Sequence, residues 1–145
     1  PNAIPSTQPA LIAPEIGTTG VLPYAEVFPL SLFAAAVGGE QALVIRVAGE
    51  GLVLVTGCGH PGLENLVIRA KSLYQLPVVG VVGGLHYGDA EAEELTAQIE
   101  FLTSYEPKLV ALSPHDSGPE ALAAFEAAFT DVYQTLRVGE TLQFP

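Results

Sequence analysis

The run Leu52 to Gly62, Leu-Val-Leu-Val-Thr-Gly-Cys-Gly-His-Pro-Gly, constrains this chain more than any other segment. Four apolar residues in series read as a strand buried on both faces. Gly57, Gly59 and Gly62 then crowd round Cys58 and His60, and a helical pattern starts at once. Glycines in such a turn permit positive φ and close backbone approach. The turn therefore holds His60 at the carboxyl end of a strand, where open α/β sheets bind ligands. His86 and His115 follow apolar runs in the same way and are the only other histidines. Three histidines at matching strand ends argue for one site.

The rest of the chain fits this frame. Residues 1–31 carry six prolines, so they cannot form a long helix; we expect an irregular arm with one short strand. Leu30 to Val37 is open between a short strand and a turn of helix. Ala42 to Ala48, Gly49 to Gly51 and Leu52 to Thr56 predict a β-hairpin. Leu63, Leu66, Val67, Ala70, Leu73 and Tyr74 follow helical spacing, with Pro61 near the start and Pro77 at the exit. Val78 to Val82 is a second buried strand. Leu95, Ile99 and Leu102 mark a second helix with acids in its first turn. Lys108 to Leu112 is a third buried strand, followed by a helix from Pro119 to Phe129. The tail predicts a Val-Gly-Glu turn and one or two edge strands. The expected division is an arm and linking segment over residues 1–40 and an α/β layered unit over 41–145.

Composition removes whole classes of function. Five Lys and Arg stand against sixteen Asp and Glu, a net charge of −11. Nucleic acid and anionic membrane surfaces gain nothing from such a chain, since neither can release counterions to it. No apolar run approaches the roughly 18 residues of a membrane span. Cys58 is the only cysteine, which excludes an intrachain disulfide, and a cytoplasmic compartment is expected. No signal-peptide pattern is evident. The chain begins at Pro1 and contains no methionine, so a piece of a longer protein is expected.

The three histidines are spaced by 26 and 29 residues, one strand–helix unit each. Imidazole is a common metal ligand, and one metal needs ligands converging from several elements. The plain alternative is a hydrogen-bonded polar residue in each loop. Gly57 to Gly62 also satisfies G-x-G-x-x-G after a strand. A nucleotide-binding reading then expects an acid at the end of the next strand, where this chain has Gly83-Gly84, and Pro61 removes an amide. Cys58 reads as a small buried thiol, because neighbouring side chains at a strand end point apart. Asp89 reads as a helix cap. Asp116 stands between cap, ligand and base. Ser117 and Gly118 complete a polar turn able to take an anionic group.

Gly-Leu-Val-Leu-Val-Thr-Gly-Cys-Gly-His-Pro-Gly, Gly-Gly-Leu-His and Ser-Pro-His-Asp-Ser-Gly, in that order, resemble the metallo-β-lactamase fold superfamily. Within it they resemble the dihydropterin ribofuranosyl-aminobenzene phosphate synthase-like branch, which shows Gly-Cys-Ser-His-x-Gly, Gly-Gly-Phe-His and His-Cys-Thr-Gly. The resemblance covers most of residues 15–120. It implies half of an αββα sandwich: a mixed sheet with flanking helices. It implies His60 and His115 as metal ligands, with His86 at the motif usually held by a bridging aspartate. It implies zinc or another divalent transition metal, two in an intact domain, activating water against an ester, phosphoester or related bond of a small-molecule substrate. Asp116 would act in catalysis by tuning the centre. His-Asp-Ser-Gly in place of His-Cys-Thr-Gly leaves the branch's own substrate open.

The superfamily's His-x-His-x-Asp-His run does not occur in this chain. The expectation is therefore a C-terminal half whose inner sheet face is a wide apolar patch, covered by the missing half or by a second copy. Isolated, such a half is expected to be inactive. The rival readings are a non-catalytic interaction or dimerisation module that kept the fold, and a nucleotide-binding domain.

Overall fold

The computed structural model describes residues 6–24 and 39–145. The open reading of residues 30–37 falls outside them. Six strands form one mixed sheet in the order of the chain: β1 Leu11–Ala13, β2 Ile16–Thr18, β3 Leu43–Val47, β4 Gly51–Val55, β5 Val78–Gly83 and β6 Leu109–Leu112. Neighbours are antiparallel from β1 to β4 and parallel from β4 to β6. Parallel neighbours require crossovers, supplied by α1 Leu63–Tyr74 and α2 Ala92–Thr103; α3 Gly118–Ala128 follows β6.

The hairpin β3–β4 turns through Gly49 at φ 81°, with the Glu50 N–H donating to the Val47 carbonyl. Glycine adopts that angle without a Cβ penalty. α1 starts after Pro61 and ends where Gln75 turns left-handed and its N–H donates to the Lys71 carbonyl. Among the described residues, the proline-rich arm holds two short strands where one was expected. Pro14 and Glu15, the latter at φ 63°, make the tight turn between them, and β2 pairs with β3. The tail turns at Gly139 as expected but forms no strand. Only Tyr133 bridges to Val110, and Val138 is fully exposed with no surface to bury against.

The helices and one face of the sheet bury a single core. Leu52, Leu54, Val81, Val110 and Leu112 meet Leu63, Leu66, Val67, Leu95, Leu102, Ala121 and Phe125. Complete burial of each large side chain stabilises by about 1.5–3 kcal/mol. The second face carries Val53, Val55, Val82, Leu109 and Ala111 in register. Val53, Leu109 and Ala111 are buried, whereas Val55 and Val82 are half-buried and Leu43, opposite Val55, is 38% exposed, so the face is open only in part where a wide apolar patch was expected. Gly80 explains part of the difference. A Cβ there would lie 3.1 Å from Val53 and 3.2 Å from Leu109, which close over the missing side chain. No helix among the described residues is long and apolar enough to cross a membrane.

Candidate metal centre

Three loops leave the carboxyl ends of β4, β5 and β6 and are zipped together by their backbones. The Gly84 N–H donates to the Gly57 carbonyl, Ser113 N–H to Gly83, and Gly88 N–H to Asp116. Thr56 Oγ1 donates to the Gly84 carbonyl at 2.6 Å. The glycines of the motif make this contact possible. A Cβ on Gly84 would lie 2.4 Å from the Gly57 carbonyl oxygen, and one on Gly59 would lie 2.5 Å from that of Gly84. The middle loop is also pinned from below. Tyr87 is buried, stacks on Phe125 at 5.7 Å, and its hydroxyl donates to Gln98.

His60 is held by a residue that reading the motifs did not find. Glu40 Oε2 stands 2.8 Å from His60 Nδ1. A carboxylate only accepts, so Nδ1 carries the proton of this hydrogen bond and Nε2 is the ring nitrogen on the far side from Glu40. The same carboxylate accepts the N–H groups of Cys58, Gly59 and His60. Burial alone would raise the Glu40 pKa, but the Gly59 N–H and the His60 contacts outweigh it and hold it below the usual value. A signal was present in the hairpin. With Leu43 opposite Val55, continuing the register brings position 40 opposite position 58.

His86 lies beside His60, ring centroids 4.5 Å apart, and its Nδ1 is 3.8 Å from Asp116 Oδ2. Burial, then His60, pushes its pKa down, which favours the neutral ring. Its backbone is left-handed at φ 57°, as is that of Asp116 at φ 60°. For residues other than glycine this costs about 1–2 kcal/mol each, and such positions cluster at functional sites.

Asp116 joins the loops electrostatically. Its Oδ2 lies 3.1 Å from His115 Nε2, and its carboxylate lies within 4.8 Å of Cys58 Sγ. Asp116, ahead of burial, pushes the Cys58 pKa up to about 11. Cys58 in turn holds the Asp116 carboxyl below its ordinary value. The cap of α3 is Ser117, so Asp116 is no helix cap. His115 projects outward, with its side chain 72% exposed. Cys58 Sγ, a His60 ring nitrogen and an Asp116 oxygen all lie within 4.8 Å of one another.

Several local expectations therefore change. Cys58 and His60 do not point apart, because the segment between Gly57 and Gly59 turns instead of extending. Asp89 does not cap α2, whose N-cap is Glu91; it lines the cleft beside the site. Ser117 is fully buried and presents no hydroxyl to an anionic ligand. The nucleotide reading fails on the loop itself. The N–H groups of Cys58, Gly59 and His60, which would cradle a phosphate, are already taken by Glu40.

The cleft over these residues has a volume of about 610 Å³ and runs between the starts of α1 and α2. His60, His86 and Asp116 lie along it, with Glu64, Asp89 and Glu94 on its walls. The donor set suits a divalent metal. It offers sulfur and imidazole nitrogen from the loop after β4 and carboxylate oxygen from the loop after β6, and one imidazole is already oriented by a carboxylate.

Comparison with known proteins agrees with this architecture. No protein-family model matches the chain. Over 99 residues it is 29% identical to 7,8-dihydropterin-6-methyl-4-(β-D-ribofuranosyl)-aminobenzene-5′-phosphate synthase from Methanocaldococcus jannaschii, a match covering 68% of this chain and 33% of that protein. It is similar in three dimensions to the crystal structure of Tm1679, a metal-dependent hydrolase of the β-lactamase superfamily. The TM-score is 0.77, with 22% identity over 94% of this chain and 56% of that one. The chain thus spans about a third of its curated relative and just over half of the solved one. Its fold is that of the β-lactamase superfamily hydrolases, as the ordered motifs implied.

Proposed function

We propose that this chain forms the part of a metal-dependent hydrolase that presents ligands from the ends of β4, β5 and β6 to a divalent transition metal. The reading rests on one observation above all: ligand atoms from the loops after β4 and β6 lie close together beside a cleft that His86 also lines, and Glu40 holds the His60 ring through Nδ1. His60 Nε2 is the anchor. His86 lies against it, ring to ring, and serves as a further ligand or holds a proton. Asp116 tunes both, lying beside the thiol and facing both His86 and His115. His115 is drawn to the centre through Asp116. A divalent metal bound there supplies Lewis acidity and a nucleophilic water at neutral pH. The substrate is a small molecule with an ester, phosphoester or related bond, admitted by the cleft. Residues beyond this chain complete the activity, a reading supported by the chain's span of about a third of the curated relative and just over half of the solved one.

The test is metal analysis of the purified protein, followed by assay of chromogenic ester and phosphodiester substrates before and after chelation. Stoichiometric zinc, iron or cobalt, stripped by chelation and lost in His60→Ala, is the expected outcome, with hydrolysis expected only where residues beyond this chain complete the centre. Hydrolysis indifferent to chelation, or a protein that retains no transition metal, overturns the reading.

A further inference from the structure

We infer that the cleft wall built by this chain selects a substrate bearing an ammonium group and rejects phosphomonoesters and carboxylates, with Glu64, Asp89 and Glu94 setting the preference. The inference rests on the hydrolase reading above and narrows its substrate class.

The charge of the cleft follows from where the chain places its few cations. It has five basic residues, all within the described segments. Arg46 pairs with Glu15, and Lys108 with Glu50. Arg69 Nε donates to the Thr19 carbonyl, and Lys71 lies over the Tyr105 ring, 5.3 Å from its centroid. Arg137 sits at the turn of the tail, where its carbonyl accepts the Glu140 N–H. None of the five lines the cleft. Phosphate and carboxylate are recognised by guanidinium and ammonium groups, and this wall offers neither.

The helix starts are the other places where an anion could be held, since their N–H groups and dipoles favour negative charge. Both already carry acids of their own. Glu64 stands in the first turn of α1, and Glu93 and Glu94 in that of α2. Glu64 and Glu94 line the cleft together with Asp89. Their charges act inward: Asp89 is felt at His86 and Glu94 at Tyr87. A cleft walled by one sign of charge concentrates ligands of the opposite sign. The uncharged part of the wall suits the rest of such a molecule. Gln98 lines the cleft, and its Oε1 accepts the Tyr87 hydroxyl at 3.2 Å, which leaves the amide N–H groups to donate to an ester carbonyl.

The experiment is an NMR titration of the chain after chelation, so that the wall alone reads the charge of the probe. Choline and methyl phosphate are added at equal ionic strength, and the histidine ring C–H signals are followed. His60 and His86 line the cleft, whereas His115 has a 72% exposed side chain outside it and serves as the internal reference. Choline should shift the His60 and His86 signals saturably and leave His115 in place. Methyl phosphate should bind roughly tenfold more weakly or worse. In the triple variant Glu64→Gln, Asp89→Asn, Glu94→Gln, choline affinity should fall roughly tenfold, the sum of three solvent-exposed charge interactions. Sodium chloride at about 0.5 M should cause a comparable loss in the unsubstituted chain, a check that needs no variant to fold. Equal or tighter binding of methyl phosphate overturns the inference. So does choline affinity unchanged by the substitutions or by salt, or no saturable response to either probe. None of these outcomes touches metal content, so the hydrolase reading stands or falls separately, on the metal analysis.

Discussion

Glu40 and His60 are 20 residues apart in the chain and 2.8 Å apart in space. One carboxylate sets the ring's tautomer and also closes the backbone of the loop that carries it. The shape of the turn and the direction of the ligand lone pair therefore depend on the same group. That coupling gives Glu40 an energetic and a functional signature that can be measured separately.

Glu40→Ala removes an acceptor from three backbone N–H groups and one imidazole. Hydrogen bonds to charged groups contribute about 1.5–3 kcal/mol each, and water can replace only part of this set, so a loss of about 2–3 kcal/mol is expected. Metal affinity should fall by roughly 10–100-fold, the usual cost of losing a partner that orients a ligand. Urea unfolding measures the first effect and cobalt titration the second. Unchanged affinity in a folded Glu40→Ala protein would show that His60 needs no such support.

Acid should weaken the fold in two stages. The His86 pKa is depressed in the folded state, so the unfolded chain binds the proton more readily as pH falls below 6.5. Glu40 is depressed below its ordinary 4.5, so its contribution is fully present above that value and is lost as pH falls through the folded pKa. Both groups give stability that rises with pH. Unfolding free energy measured from pH 3 to 8 should show both limbs. His86→Gln should flatten the upper limb and Glu40→Gln the lower. Profiles identical to wild type in both variants would contradict the assignment.

Cys58 should be a sluggish nucleophile in the metal-free protein. With its pKa near 11, little thiolate exists at neutral pH, and iodoacetamide should react slowly, its rate climbing towards that value. Asp116→Asn removes the negative charge beside the thiol, and alkylation at pH 8 should accelerate. Equal rates in the two proteins would mean that Asp116 does not hold the thiol.

Two glycines with different reasons to be glycine should respond differently to alanine. At Gly84 the new Cβ meets the Gly57 carbonyl at 2.4 Å, and the obstacle is backbone. A loss of about 3 kcal/mol is expected, at the upper end for overpacking, together with weakened metal binding because the loops are forced apart. At Gly49 the Cβ meets nothing within 4 Å, but φ is 81°. Only the left-handed cost of about 1–2 kcal/mol applies there, and metal binding should be untouched. Thermal melts of the two variants, paired with cobalt titration, separate clash from conformational strain.

The order and kind of the elements were legible before any coordinates. Apolar runs ending in glycine, then helical spacing, then the next apolar run, are local signals. The β3–β4 hairpin, the three βα units and the Val-Gly-Glu turn all appear where the sequence puts them. The sequence also put His60 and His86 at adjacent strand ends, because parallel strands joined by single helices bring their following loops to one rim. The extra strand of the arm was less visible. Its signal is a single turn at Pro14, and its pairing partner lies some 25 residues on, at β3.

What the sequence could not decide was which side chains meet. Glu40 reaches His60 only because an antiparallel register extends past the named strand. Cys58 turns towards Asp116 only because Gly59 takes a positive φ and the β6 loop holds Asp116 left-handed, an angle with no glycine to announce it. Periodicity along a chain reports which face a residue occupies within its own element. Contacts between loops depend on strand register and on a few backbone angles outside any element, and those are fixed only when the sheet, its helices and the three loops have closed on one another.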